Sequence, residues 1–114
     1  MKKNWLERTE LLIKETNLEK LKNANVLVIG LGGVGSFAAE FLARAGVGKM
    51  TIVDGDVVDI TNINRQLPAL HSTIGKLKAE IVGERLLDIN PELQLTKINE
   101  FLNPENMEDI LDSQ

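Results

Sequence analysis

Val26-Leu27-Val28-Ile29, followed at once by Gly30-Leu31-Gly32-Gly33-Val34-Gly35-Ser36, is the stretch that decides the fold. Four β-preferring apolar residues in a row predict a strand buried on both faces, as in a parallel sheet covered on both sides. The glycines predict a sharp turn in which peptide N–H groups can approach a bulky anion with no side chain between. A helix starting near Ser36 would aim its unpaired N–H groups and positive dipole end at the same point. A phosphate-bearing ligand is the expected occupant. The plain alternative is a tight turn whose glycines serve packing alone, but four glycines in six positions exceed what a turn demands.

Working outward, Phe37, Ala38, Phe41, Leu42 and Ala45 share one face of a helix that Gly46 ends. Met50 to Val53 form a second strand, closing at Asp54-Gly55-Asp56. Strand, glycine turn, helix and strand make a βαβ unit with a right-handed crossover. Gly30, Gly32 and Gly35 satisfy G-x-G-x-x-G, and Asp54 stands where a carboxylate can accept hydrogen bonds from ribose hydroxyls. Residues 57–73 are irregular and polar. Ile74, Leu77, Ile81, Val82, Leu86 and Ile89 form a second helical stripe, stopped before Pro91. Leu93 to Ile98 is a third strand, and Asn103-Pro104 opens a last helix, with Asn as N-cap and Pro at N1. Upstream, Thr16-Asn17-Leu18-Glu19 has capping-box spacing, preceded by a short helical segment around Leu11-Leu12-Ile13. The expected fold is α/β: a Rossmann-like βαβ nucleotide-binding half with a mostly parallel sheet, an incomplete doubly wound domain. A helical arm over residues 1–24 precedes it, and residues 25–114 form the nucleotide-binding part.

Composition bounds the function. The 114 residues allow one modest core, and 43% hydrophobic with 26% charged content is that of an ordinary globular domain. No apolar stretch reaches the roughly 18 residues of a membrane span, no secretory signal opens the chain, and cytoplasmic residence with no membrane partner is expected. With no cysteine, disulfides and Cys-ligated zinc are excluded within these residues. A net charge of −4 argues against a generic nucleic-acid-backbone binder, though not against a nucleic acid substrate held elsewhere.

A bound dinucleotide needs few cations, whereas a reacting triphosphate needs side-chain charge near the phosphorus under attack. Asn62, Arg65 and Lys78 are the candidates: Arg65 offers a planar fork and Lys78 a point charge. From spacing alone, Lys78 reads more readily as a snorkelling helix lysine, and Arg65 equally as a surface loop residue. His71 is a lone surface histidine with no companion at ligand spacing, and no metal site is expected within the chain. Trp5 packs an N-terminal arm, Arg44 meets a helix C-terminus, and residues 105–112 form a solvated helix face over Met107, Ile110 and Leu111.

Read together, the glycine turn, Asp54-Gly55-Asp56, Thr61-Asn62-Ile63-Asn64-Arg65-Gln66 and Gly75-Lys76-Leu77-Lys78-Ala79-Glu80 resemble the ThiF/MoeB/HesA family of adenylating enzymes, relatives of ubiquitin-activating enzymes. The resemblance spans nearly the whole chain. It implies that residues 25–114 are the N-terminal part of an ATP-binding adenylation domain. Gly30, Gly32, Gly33 and Gly35 would then shape the loop around ATP and Asp54 hold its ribose, with Asp56, Asn62, Arg65 and Lys78 lining the phosphates. Arg65 and Lys78 would be catalytic. Arg8 would match an arginine that family homodimers lend to the partner's site, its alternative being a solvent-facing helix charge. Magnesium would be a cofactor whose main ligand lies beyond residue 114. The wording of Arg8-Thr9-Glu10-Leu11-Leu12, Gly32-Gly33-Val34-Gly35-Ser36 and Asn62-Ile63-Asn64-Arg65-Gln66 is similar to the subgroup that dehydrates tRNA threonylcarbamoyladenosine. In that subgroup a carboxylate on tRNA attacks the α-phosphate of ATP and pyrophosphate leaves. A second reading takes the C-terminal glycine of a ubiquitin-like sulfur carrier as the carboxylate. A third, a nicotinamide-dependent oxidoreductase module, leaves Asn62, Arg65 and Lys78 without a role. On the family reading the chain is a truncated piece, expected to be inactive and to bind ATP weakly by itself.

Overall fold

In the computed structural model, which describes residues 4–113, β1 (Asn25–Ile29), β2 (Lys49–Val53) and β3 (Gln94–Ile98) form a parallel sheet in the order β1-β2-β3. Val28 lies beside Ile52 and Ile29 beside Val53; across the next pair Met50 lies beside Leu95 and Val53 beside Ile98. The connections are α2 (Gly35–Ala45) and α3 (Lys78–Ile89), which pack on each other and on the sheet. All three strands therefore end at one edge, where loops in parallel α/β sheets hold ligands.

The core joins alternate strand residues Val28, Met50 and Ile52 to Ala39 and Ala43 of α2 and to Ala79, Val82 and Leu86 of α3. The sheet is not covered equally on both sides as expected: Ile29, at the end of β1, is 47% exposed. The buried face of α2 also differs from the apolar stripe in the sequence. Ser36, Ala39, Glu40 and Ala43 face inward, while Phe37 and Phe41 are exposed. The helix begins so close to the β1 turn that only small side chains fit beneath it. A Cβ on Gly35 would lie 1.7 Å from the carbonyl oxygen of Gly30. At the other end Gly46 takes the left-handed conformation (φ 97°), as expected of a C-terminal glycine.

Other boundaries move for local reasons. The helix expected from Ile74 starts at Lys78, because Gly75 has φ 84° and Leu77 is extended. Asn103 caps as expected, its Oδ1 accepting the N–H groups of Glu105 and Asn106, but regular helix α4 begins only at Met107 and runs to Asp112. The N-terminal helix α1 (Glu7–Lys22) breaks at Lys14, with φ 73° and ψ 159°, rather than opening at a Thr16 cap. Leu6 and Leu18 anchor this region against Gly46. Arg44 pairs with Glu40 at 3.4 Å, and Arg85 of α3 joins the same carboxylate, tying α2 to α3. No described helix is long and apolar enough to cross a membrane.

Candidate functional site

The strand-end edge gathers most of the residues singled out in the sequence. Gly30 turns the chain out of β1 with φ 85°, and its N–H donates to the carbonyl of Val53. At Gly32 and Gly33, by contrast, the nearest atoms to an added Cβ are Gln66 Nε2 at 3.6 Å and the Arg65 carbonyl oxygen at 3.9 Å. Protein packing thus leaves room for a methyl group at both positions. The bare backbone there faces space that a ligand could fill, as a phosphate cradle requires.

Asp54 closes β2. One carboxylate oxygen accepts the N–H of Leu31 and the other that of Asp56, each at 2.7 Å. A carboxylate has about four acceptor sites, so both bonds are compatible with a ribose hydroxyl on the remaining lone pairs. Asp54 and Asp56 line a cleft of about 330 Å3 with Ile29, Gly30, Glu100 and Phe101. The part of that wall from the loop after β3 is absent from the sequence reading. Phe101, 65% exposed, lies against Gly55, where a Cβ would come within 2.7 Å of the ring and 2.6 Å of the Phe101 nitrogen. The available signal was topological: residues following each parallel strand arrive at the same edge.

Lys78 opens α3, its N–H donating to the Asp56 carbonyl at 3.0 Å. Its side chain is 5% exposed, so the snorkelling alternative does not describe it, and Nζ lies 3.4 Å from Asp56 Oδ2. Burial of an ammonium with one long ion pair leaves donors for a second anion. Nearby, Asp59 is held below the usual carboxylate range by the Thr61 hydroxyl and N–H, with the charge of Lys78 adding to the effect.

The polar loop packs against the glycine turn through the Gln66 amide and the Arg65 carbonyl. Asn62 is buried, with Oδ1 capping a single 3-10 turn (Ile60–Asn62) by accepting the Asp59 N–H. Arg65 is exposed, and its Nη1 donates to the Thr61 carbonyl and to Asn64 Oδ1. Arg8 does not join the group within one chain. Leu6, two residues earlier, packs on Gly46, and the 11 residues of α2 put that end about 16 Å from the glycine turn. His71 is exposed in a 3-10 turn. Among the described residues no group of three or more His, Cys, Asp or Glu could hold a metal ion.

The chain matches the ThiF family over residues 6–114 and belongs to it. It is 52% identical over 105 residues to a Bacillus subtilis tRNA threonylcarbamoyladenosine dehydratase, covering 92% of this chain and 41% of the relative. A Salmonella typhimurium molybdopterin-synthase adenylyltransferase is 41% identical over 93 residues, 82% of this chain and 37% of the relative. Among solved structures, the Escherichia coli tRNA N6-threonylcarbamoyladenosine dehydratase in complex with ATP superposes with a TM-score of 0.91 at 42% identity, covering 94% of this chain and 44% of that one. The chain thus spans about two fifths of the length of the curated relatives it matches.

Proposed function

We propose that this ThiF-family chain carries the ATP-binding edge of an enzyme that adenylates a carboxylate, and that the carboxylate belongs to threonylcarbamoyladenosine in tRNA, which is then dehydrated to its cyclic form. The observation that carries the reading is the buried ammonium of Lys78, held by one long ion pair to Asp56, which lines a cleft with Asp54 and with Gly30 at the start of the glycine turn. A nicotinamide dinucleotide gives such a cation no task, whereas a triphosphate does.

In this reading the backbone at Gly32 and Gly33 cradles phosphate and Asp54 accepts a ribose hydroxyl. Lys78 neutralises phosphate charge, and Arg65 leaves its loop partners to do the same, with Asn62 holding that loop in place. ATP supplies the electrophilic phosphorus. The residues present fit it on their chemistry: bare amides, one acceptor at the sugar position and one incompletely paired cation. Magnesium, when bound with the nucleotide, would supply further positive charge beside the phosphates. The protein works as a cytoplasmic homodimer, which would bring Arg8 to the partner's site.

The substrate part rests on relatives named for tRNA threonylcarbamoyladenosine dehydration, 44–52% identical to this chain. The second reading, adenylation of a sulfur carrier, has support from adenylyltransferases at 40–41% identity. Nucleoside analysis of tRNA from a strain lacking the protein separates them. Accumulation of open-chain threonylcarbamoyladenosine is expected; an unchanged tRNA profile would favour the sulfur carrier.

A further inference from the structure

Lys78 and Asp56 make two contacts of different strength. The main-chain contact is firm: the Lys78 N–H donates to the Asp56 carbonyl at 3.0 Å, and the Asp56 N–H is itself held by Asp54 at 2.7 Å. The side-chain contact is loose. At 3.4 Å it lies beyond the usual range of a charge-assisted hydrogen bond. The acid is 54% exposed, so solvent screens the attraction, and its other oxygen accepts the N–H of Val57. The lysine, by contrast, is 5% exposed and has no second ion pair among the described residues. Asp59, close enough for Lys78 to influence it, has its own carboxylate bonded to Thr61. The ammonium therefore needs a counter-ion, and the one it has is easily replaced.

We propose that Asp56 is the resting counter-ion of Lys78 and a positioning residue for it: the carboxylate holds the buried ammonium at the cleft, and a nucleoside triphosphate binds by taking the ammonium from it. This rests on the nucleotide reading above. The backbone bond from Lys78 to Asp56 keeps the lysine in place during the exchange, while the half-exposed carboxylate turns to solvent. Asp56 and the polyphosphate then compete for one cation, so the acid opposes binding even though it lines the site.

The test is the ATP affinity of the full-length protein by calorimetry in EDTA, so that no divalent ion bridges acid and phosphate. Asp56→Asn keeps the acceptor for the Val57 N–H and removes the charge; Asp56→Ser replaces it should the amide fail to fold, as judged by circular dichroism. Glu100→Gln is the control, since Glu100 is a carboxylate lining the same cleft with no lysine partner described. Asp56→Asn should tighten ATP about three- to fivefold, and by more than Glu100→Gln does. Unchanged or weaker binding by the Asp56 variants, or an equal gain from Glu100→Gln, would overturn the counter-ion role while leaving nucleotide binding intact. Failure of the wild-type protein to bind ATP at all would overturn the nucleotide reading and this inference together.

Discussion

The carboxylate of Asp54, at the end of β2, accepts the N–H of Leu31 within the glycine turn at 2.7 Å. Its other oxygen accepts the N–H of Asp56 at the same distance. The residue expected to meet a sugar therefore also fixes the shape of the turn and the backbone that anchors Lys78. Asp54→Ala should destabilise the fold by about 2 kcal/mol, since two donors lose a charged acceptor, and Asp54→Asn, which keeps an acceptor, by less. Urea unfolding of the two variants checks this order.

The glycines divide into two kinds. Gly35→Ala sets a methyl carbon 1.7 Å from the Gly30 carbonyl oxygen, a backbone atom that cannot step aside. It should cost about 3 kcal/mol or more, seen as a large fall in Tm. Gly33→Ala meets nothing nearer than 3.9 Å and should leave Tm within a few degrees. The same change should weaken ATP binding about tenfold by filling the phosphate cradle. Equal effects of both variants on Tm would contradict this division.

Glu80 ties α3 to the end of β3, accepting Lys97 Nζ at 2.8 Å and Asn99 Nδ2 at 3.2 Å. The lysine first, then the asparagine, hold its carboxyl below the usual glutamate range. A folded-state pKa below the unfolded one gives stability that is fully present above the unfolded value and is lost as pH falls through the folded value. Glu80→Gln should therefore lower Tm slightly at neutral pH, and the difference should fade as pH falls below the ordinary glutamate range. The effect should shrink in salt, because the pair is partly solvated. A difference that persists into acid would assign the contact to shape rather than charge.

The strand–turn–helix–strand unit was legible because its signals are local: an apolar run, glycines at fixed offsets and an acid at the next strand end. The α2 face was misread because Phe37 and Phe41 outweigh alanines in any hydrophobic pattern. Packing against a turn where a Cβ on Gly35 would lie 1.7 Å from the Gly30 carbonyl oxygen selects the small residues instead. Periodicity could not tell Arg65 and Lys78 from ordinary surface cations; the burial of Lys78 arises only when α3 packs beside Asp56, and Arg65 is exposed in its loop. The contact of Phe101 with Gly55 was not legible either. It joins residues 46 positions apart and exists only once β2 and β3 lie side by side.

On the proposed reading, Lys78 is buried to meet a phosphate. Lys78→Met matches the stem and removes the charge, so the fold should be unharmed, as replacing a buried ion by an apolar group of similar volume often is. Titration of the full-length wild-type protein and this variant with ATP and NAD is the most direct measurement. ATP should bind the wild type well ahead of NAD, and the folded Lys78→Met variant should lose about tenfold or more of that affinity. ATP binding of equal strength by the two proteins would contradict the account.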